Sequence, residues 1–341
     1  MTYTDKYLAD LRLVQGAVPH LERLEGSRVL ITGAGGLICS AVVDLLLSMN
    51  QNVQVYAAGR SIERLKNRFS YWEGRENLHF LPYDALEPPC WDCSFDYLIH
   101  GACNASPAAY SAQPVETMLA NFTGMNDLLR YASTHGAGRV LYISSSEVYG
   151  KKEEQAPYRE ADHGYLDILN PRACYPSAKR AAETLCAAYT KEYGLDTVIV
   201  RPGHVYGPTA TPTDDRASSQ FPRDALAGRD IVMKSPGSQL RSYCYVLDCA
   251  SALVTVLLHG QTGEAYNISN RNSVVTIRQM AQAFAHAAGV RLLFADPTDA
   301  EAKSYNLMDH SDLDGTALEN LGWRGLFDLE AGVKATLDAI K

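Results

Sequence analysis

The stretch from Arg28 to Met49 leaves a folding chain few choices. Arg28-Val29-Leu30-Ile31 is a short run of apolar, branched residues, Thr32-Gly33-Ala34-Gly35-Gly36 is a glycine-rich turn, and the residues from there to Met49 are almost uncharged. A strand, a tight turn and a buried helix are expected in that order. A strand without polar alternation belongs inside a parallel sheet covered on both faces, since a sheet with one wet face alternates polar and apolar side chains.

The same rhythm continues along the chain. After a leading helix over 5–24, strands are expected at 53–57, 78–82, 97–100, 139–144 and 197–201, with helices at 61–69, 115–134 and 175–193. This alternation predicts an α/β fold of the Rossmann type, a doubly wound parallel sheet with a smaller C-terminal substrate-binding lobe. Residues 208–220, rich in Pro, Thr, Asp and Ser, read as a surface loop at the entrance to that lobe. The expected division is an N-terminal helical extension at 1–26, a cofactor-binding domain at 27–203 and 242–262, and a second lobe at 204–241 and 263–341. A chain of 341 residues is long enough for both units.

Composition excludes several classes. The net charge of −8 comes with no Lys/Arg stripe to neutralise a phosphate backbone, so nucleic acid is not an expected partner. No apolar run approaches the roughly 20 residues that span a bilayer, and the first 26 residues mix charge with apolar positions; a cytoplasmic protein is expected. The eight cysteines are scattered through apolar segments, as expected of reduced, buried thiols. Cys90-Trp91-Asp92-Cys93 has the spacing of half a zinc site, but no second pair completes it, so no metal is expected.

The glycine turn carries the first chemical expectation. Glycines directly after a strand let a pyrophosphate approach the backbone, while the helix N-terminus supplies N–H donors and a partial positive charge. Gly33, Gly35 and Gly36, followed by Leu37 and Ile38, are the candidate cradle. An acidic residue that would hold an adenosine ribose at the end of the second strand is missing, because Ala57-Ala58-Gly59-Arg60 stands there. Arg60 is suited instead to a 2′-phosphate or to stacking on adenine.

The second expectation rests on Tyr175 and Lys179, which share a face at positions i and i+4 of a helix. An ammonium near a phenol favours the phenolate, whose ordinary pKa is about 10, and makes it a base at neutral pH. Upstream, Ser144-Ser145-Ser146-Glu147-Val148-Tyr149-Gly150 leaves a strand at the sheet edge where such folds bind ligands.

These segments resemble the extended short-chain dehydrogenase (NAD-dependent epimerase/dehydratase) family of nucleotide-sugar enzymes. The likeness runs from about residue 27 to the C-terminus and takes in Thr32-Gly33-x-x-Gly36 with Cys39 at the usual third glycine, His100-Gly101-Ala102, Asn121 with Gly124, the segment Arg201 to Pro208, and Gly237 to Tyr243. The resemblance implies NAD, with NADP as the alternative, held by Gly33, Gly35, Gly36, Leu37, Ile38, Arg60, Asp84, Ala85, Ala102, Asn121, Tyr175, Lys179 and Pro202. It implies catalysis by Tyr175, Lys179, Ser145, Ser146, Glu147 and Arg241, and a nucleotide sugar contacted by Ser106, Glu147, Tyr175, His204, Arg223 and Arg241. It also implies a homodimer through helices 115–134 and 175–193.

Within the family, UDP-glucuronate decarboxylases are most similar, sharing the Ser-Glu-Val-Tyr-Gly segment, Pro171-Arg172-Ala173-Cys174-Tyr175 and Ala105-Ser106-Pro107. His204 departs from their pattern, which has Asn. A 4,6-dehydratase would place Asp where Ser146 stands, and a simple 4-epimerase has no use for Glu147. Those two activities, and a non-catalytic cofactor-sensing or scaffold protein, are the alternatives.

Overall fold

The computed structural model describes residues 3–49, 52–103, 105–296 and 310–340. Among them, seven strands form one all-parallel sheet: β1 (Arg28–Thr32), β2 (Gln54–Gly59), β3 (Leu78–Pro82), β4 (Tyr97–His100), β5 (Arg139–Ile143), β6 (Thr197–Pro202) and β10 (Ala265–Ile268), in spatial order β10-β6-β5-β4-β1-β2-β3. The order reverses at β1, whose Leu30 faces Tyr56 of β2 on one side and Leu98 of β4 on the other. Crossovers to either side of β1 put helices on both faces and open a crevice at the C-terminal strand ends between β1 and β4.

One face carries α2 (Leu37–Ser48) and α8 (Val246–His259), which are apolar nearly all round because the sheet, each other and the N-terminal α1 (Asp5–Gln15) enclose them. The opposite face carries α5 (Pro114–Thr134) and α6 (Cys174–Tyr193), packed side by side over Leu98, Val140, Tyr142 and Ile199. The smaller lobe contains β9 (Leu240–Tyr245), flanked by β7 (His204–Tyr206), β11 (Val274–Thr276) and β13 (His310–Ser311). It also holds a parallel pair, β8 (Ile231–Met233) with β12 (Leu292–Phe294). Helices α7 (Ala217–Leu226), α9 (Ile277–Ala288) and α11 (Leu329–Ile340) bury Phe221, Phe284 and Val333 into the core that also holds α2 and α8.

Three expectations shift. The leading helix stops at Gln15, and a separate turn, Leu21–Leu24, follows, because Gly16 and Pro19 interrupt the repeat. The expected loop at 208–220 ends early, with α7 starting at Ala217. The domain boundaries also move. Strand β10, expected in the second lobe, pairs with β6 as the seventh strand of the main sheet, and the segment assigned to the cofactor domain from 242 begins inside β9 of the lobe. Short apolar strands look alike in sequence, and only pairing partners decide which sheet receives them.

Residues 3–24 are tied to the main domain by a buried carboxylate. Asp44 of α2 accepts from Tyr3 Oη (2.6 Å), Tyr7 Oη (2.8 Å) and Trp72 Nε1 (2.9 Å) and pairs with Arg68 (2.6 Å).

Candidate active site

A cleft of about 640 Å³ opens where the C-terminal edge of the sheet meets the second lobe. Gly33, Gly36, Leu37, Ile38 and Cys39 line one end. Gly33 takes φ +68°, and a Cβ on it would lie 2.8 Å from the Gly101 carbonyl carbon, so only glycine keeps the turn against the end of β4. Gly101 complements the departure at Cys39. A Cβ on Gly101 would stand 2.4 Å from Cys39 Sγ, and the missing side chain gives the thiol the space that a third glycine usually leaves open. Helix α2 begins at Gly36 without a side-chain cap, leaving its first N–H groups for a ligand.

At the centre, α6 presents Tyr175 and, one turn later, Lys179. Lys179 is 2% exposed. Its Nζ donates to the Ile143 carbonyl at the end of β5 (2.8 Å) and lies 4.7 Å from the ring centroid of Tyr142 and 5.7 Å from that of Tyr175. Burial pushes the Tyr175 phenol well above its usual range, Cys103 and Glu147 add to this, and the Ser145 hydroxyl opposes it. The phenol therefore keeps its proton until cations dominate its surroundings. Lys179 also reaches His100, which burial and that ammonium hold down to about 3; the neutral imidazole meets Thr32 Oγ1 at 2.8 Å.

Ser145 and Glu147 arrive by a local device. The chain leaves β5 and makes one helical turn, Ser146–Tyr149, whose cap is Ser145 Oγ accepting from the Glu147 N–H at 3.2 Å. Arg180 donates to the carbonyls of Val148 and Tyr149, locking that turn to α6. The Glu147 carboxylate is gripped by both arms of Arg172, at 3.0 and 3.3 Å. The Arg172 guanidinium lies 4.5 Å from the ring centroid of Tyr110, and that ring stacks on Tyr175 at 5.3 Å and 18°. Neither Arg172 nor Tyr110 is among the expected site residues; Arg172 stands in the sequence only within the segment of resemblance at 171–175. The signal for Arg172 was its place three residues before Tyr175.

The far end of the cleft is cationic. His204, Arg216, Lys234 and Arg241 line it, and burial with the charges of Arg241 and Arg216 holds His204 down to about 3, a neutral ring with Nδ1 buried and unpaired. Arg241 is 3% exposed, fixed in part by donation to the Leu240 carbonyl at 2.8 Å. Arg223, expected at the substrate, does not line this cleft. Its guanidinium donates to the carbonyls of Pro212, Asp214 and Ser219 and clasps the loop before α7, while Arg216, paired with Asp214, takes the place at the wall. A loop of unknown path gives no way to choose between two arginines seven residues apart.

The remaining expected residues take these places. Tyr175, Lys179, Ser145, Ser146, Glu147, His204, Arg241 and Pro202 share the cleft wall with the glycine turn. Ser106 stands at the mouth, donating to Asp215 Oδ1 at 2.9 Å. Gly35, Arg60, Asp84, Ala85, Ala102 and Asn121 lie outside the lining of the cleft. Arg60 is exposed after β2, and Asp84, after β3, accepts from the Leu86 N–H at 3.1 Å. Asn121, buried on α5, donates to the Thr117 carbonyl and leaves Oδ1 unpaired. Of the expected buried thiols, Cys90 is exposed, and all eight are unpaired as disulfides.

The family model described as "NAD dependent epimerase/dehydratase family" matches residues 29–269. The chain belongs to that family. It is 30% identical over 326 residues to UDP-glucuronic acid decarboxylase 1 of Xenopus tropicalis, covering 94% of this chain and 73% of that protein. It is 35% identical over 243 residues to UDP-glucuronic acid decarboxylase 6 of Arabidopsis thaliana, covering 71% and 69%. The fold matches a UDP-glucuronic acid 4-epimerase variant from Bacillus cereus solved with NAD, at TM-score 0.78 and 21% identity over 92% of this chain and 98% of that one. It also matches dTDP-glucose 4,6-dehydratase from Streptomyces venezuelae, at TM-score 0.77 and 23% identity over 91% and 95%. The family's dinucleotide suits what is present: a backbone cradle that a Cβ at Gly33 would fill, an uncapped helix start at Gly36, and the buried, unpaired hydroxyl of Ser144 on the wall of the same cleft.

Proposed function

We propose that the chain decarboxylates a nucleotide-linked uronic acid, UDP-glucuronate being the first candidate, and restores the sugar's oxidation state before release. The observation that carries this reading is the convergence of Tyr175, Ser145, Lys179, Glu147 and Arg241 on one cleft next to the glycine cradle.

Bound nicotinamide would supply reversible hydride acceptance at the sugar's C4. Tyr175 takes the C4 hydroxyl proton, Lys179 stabilises the resulting phenolate, and Ser145 donates a hydrogen bond to the C4 oxygen. The C4 ketone makes the acid a β-keto acid, so the C5–C6 bond breaks and its electron pair enters an enolate as CO2 leaves. Arg241 faces the carboxylate and then the negative charge that develops. Glu147 relays a proton from solvent to C5, and Tyr175 returns its proton to the C4 oxygen as the ketone is reduced. Ser146, where a dehydratase needs an acid, is a poor donor to a departing hydroxyl. Arg216 and Lys234, on the same cleft wall, suit the diphosphate.

The exposed apolar stripe Val115, Met118, Leu119 and Phe122 on α5, next to α6, supports a homodimer through these helices. Sedimentation of Phe122→Glu tests it, with a shift to monomer expected. Among the described residues no helix is long and apolar enough to cross a membrane, which accords with a cytoplasmic enzyme.

Incubation with UDP-glucuronate followed by mass spectrometry tests the activity. Loss of CO2 is expected; loss of water, or unchanged mass with altered stereochemistry at C4, would replace this reading by dehydration or epimerisation.

A further inference from the structure

We propose that Arg172 is a positioning residue that holds the Glu147 carboxylate over the reacting carbon, as the outer layer of a stack with Tyr110 and Tyr175. This deepens the decarboxylase reading and rests on it. Glu147 follows the one-turn cap at Ser145, which orients its backbone but leaves the side-chain torsions free. At the edge of a cleft, a carboxylate so placed turns outward to water unless something holds it. Arg172 does so with two hydrogen bonds, 3.0 Å to Oε2 and 3.3 Å to Oε1, and a fork fixes direction as well as distance.

The fork is itself constrained. The Arg172 guanidinium rests on the Tyr110 ring at 4.5 Å, and Tyr110 rests on the catalytic Tyr175 ring at 5.3 Å. The backbone of Arg172 is capped by Asn170 Oδ1 (3.0 Å) in the turn directly before α6. Proton donor and proton relay are thus spaced by one continuous stack rather than by separate loops. The pair is partly buried at the cleft wall, its side chains 28% and 24% exposed, so a structural contribution is expected beside the positioning role and the readouts below separate the two. It is unsuited to binding the substrate's carboxylate, because the fork is already taken by Glu147. Lysine cannot replace it, since an ammonium neither forks nor stacks.

The step concerned is protonation of the enolate. The C5–C6 bond has broken and CO2 has left, and a new C5–H bond takes its proton from solvent through Glu147. If Glu147 is misplaced, oxidation at C4 proceeds and protonation lags; the enol would escape and take its C5 proton from water, so UDP-4-keto-pentose accumulates in place of UDP-pentose, and the reduced cofactor left behind would have to be exchanged for added NAD before another turnover.

The test is a double-mutant cycle of Arg172→Gln and Glu147→Gln, with Arg172→Lys as the charge-preserving variant. Turnover of UDP-glucuronate by the wild type tests the decarboxylase reading separately. Each Arg172 variant should lower kcat about 10- to 100-fold with KM within about threefold, and should raise the proportion of keto product. Added to Glu147→Gln, Arg172→Gln should change kcat by less than about twofold, because the residue it positions is gone. Independent losses that multiply, or wild-type kcat and product ratio in Arg172→Lys, would overturn the proposal. A crystal structure of Arg172→Lys reads the placement without turnover: Glu147 rotated out of the cleft supports it, and Glu147 unmoved refutes it.

Discussion

Replacing Asp44 by alanine should detach the N-terminal segment and destabilise the whole molecule. Asp44 is wholly buried and satisfies four donors from three places in the chain: Tyr3 and Tyr7 of the extension, Arg68 after α3 (Ile62–Arg68) begins, and Trp72. Arg68 is only 13% exposed, so removing its partner leaves a nearly buried guanidinium unpaired. Breaking a buried pair from one side costs about 3–5 kcal/mol. Tyr7→Phe removes one hydrogen bond to a charged acceptor and should cost about 1.5–3 kcal/mol. Replacing both charges, as Asp44→Leu with Arg68→Met, should recover only the part of the loss due to the uncompensated charge, because Tyr3, Tyr7 and Trp72 still lack their acceptor. Urea unfolding followed by tryptophan fluorescence measures all three, with Trp72 reporting locally on the network. A cost below about 1 kcal/mol for Asp44→Ala, or a double variant less stable than the single one, would refute the view that this carboxylate docks the extension.

Gly101→Ala should fail to fold normally or lose dinucleotide affinity, and Cys39→Gly in the same chain should restore much of it, since the new Cβ would stand 2.4 Å from Cys39 Sγ; thermal midpoints and a dinucleotide titration check this. Lys179→Met should lower kcat at least about 100-fold while UDP affinity, measured calorimetrically, changes little, because the cation acts on the phenol rather than on the diphosphate. Stability should fall on mild acidification. His100 and His204 have folded pKa values of about 3 against an ordinary 6.5, so the unfolded chain binds more protons; their stabilisation is complete above pH 6.5 and is lost as pH falls from there toward 3. Unfolding free energies from urea titrations between pH 7.5 and 5 should decline by up to about 2 kcal/mol per histidine, and His100→Gln should flatten the slope.

The parts of the fold that were legible in sequence are those whose chemistry is local. The strand, turn and helix from Arg28 to Met49 declare themselves because a backbone that makes φ +68° against Gly101 needs glycine, and a helix enclosed on every side needs apolar residues throughout. Tyr175 and Lys179 were legible because 3.6-residue periodicity puts both on one face wherever the helix lies. The serine cap that orients the Glu147 backbone is also local, contained within three residues, but it came from the structure and not from the sequence.

What only the tertiary structure decided involves partners far apart in the chain. The grip of Arg172 on Glu147 spans 25 residues, the seat of Tyr110 on Tyr175 spans 65, and neither has a periodicity to announce it. The choice of Arg216 over Arg223 at the cleft wall depends on how an irregular loop closes, and the assignment of Ala265–Ile268 to the main sheet depends on β6 being open for pairing. Sequence alone therefore determined the class of fold, the glycine turn after β1 and the shared helix face of Tyr175 and Lys179, since these follow from backbone sterics and helix geometry. Packing determined the distances among charges in the cleft, because those are set by where separate elements come to rest against one another.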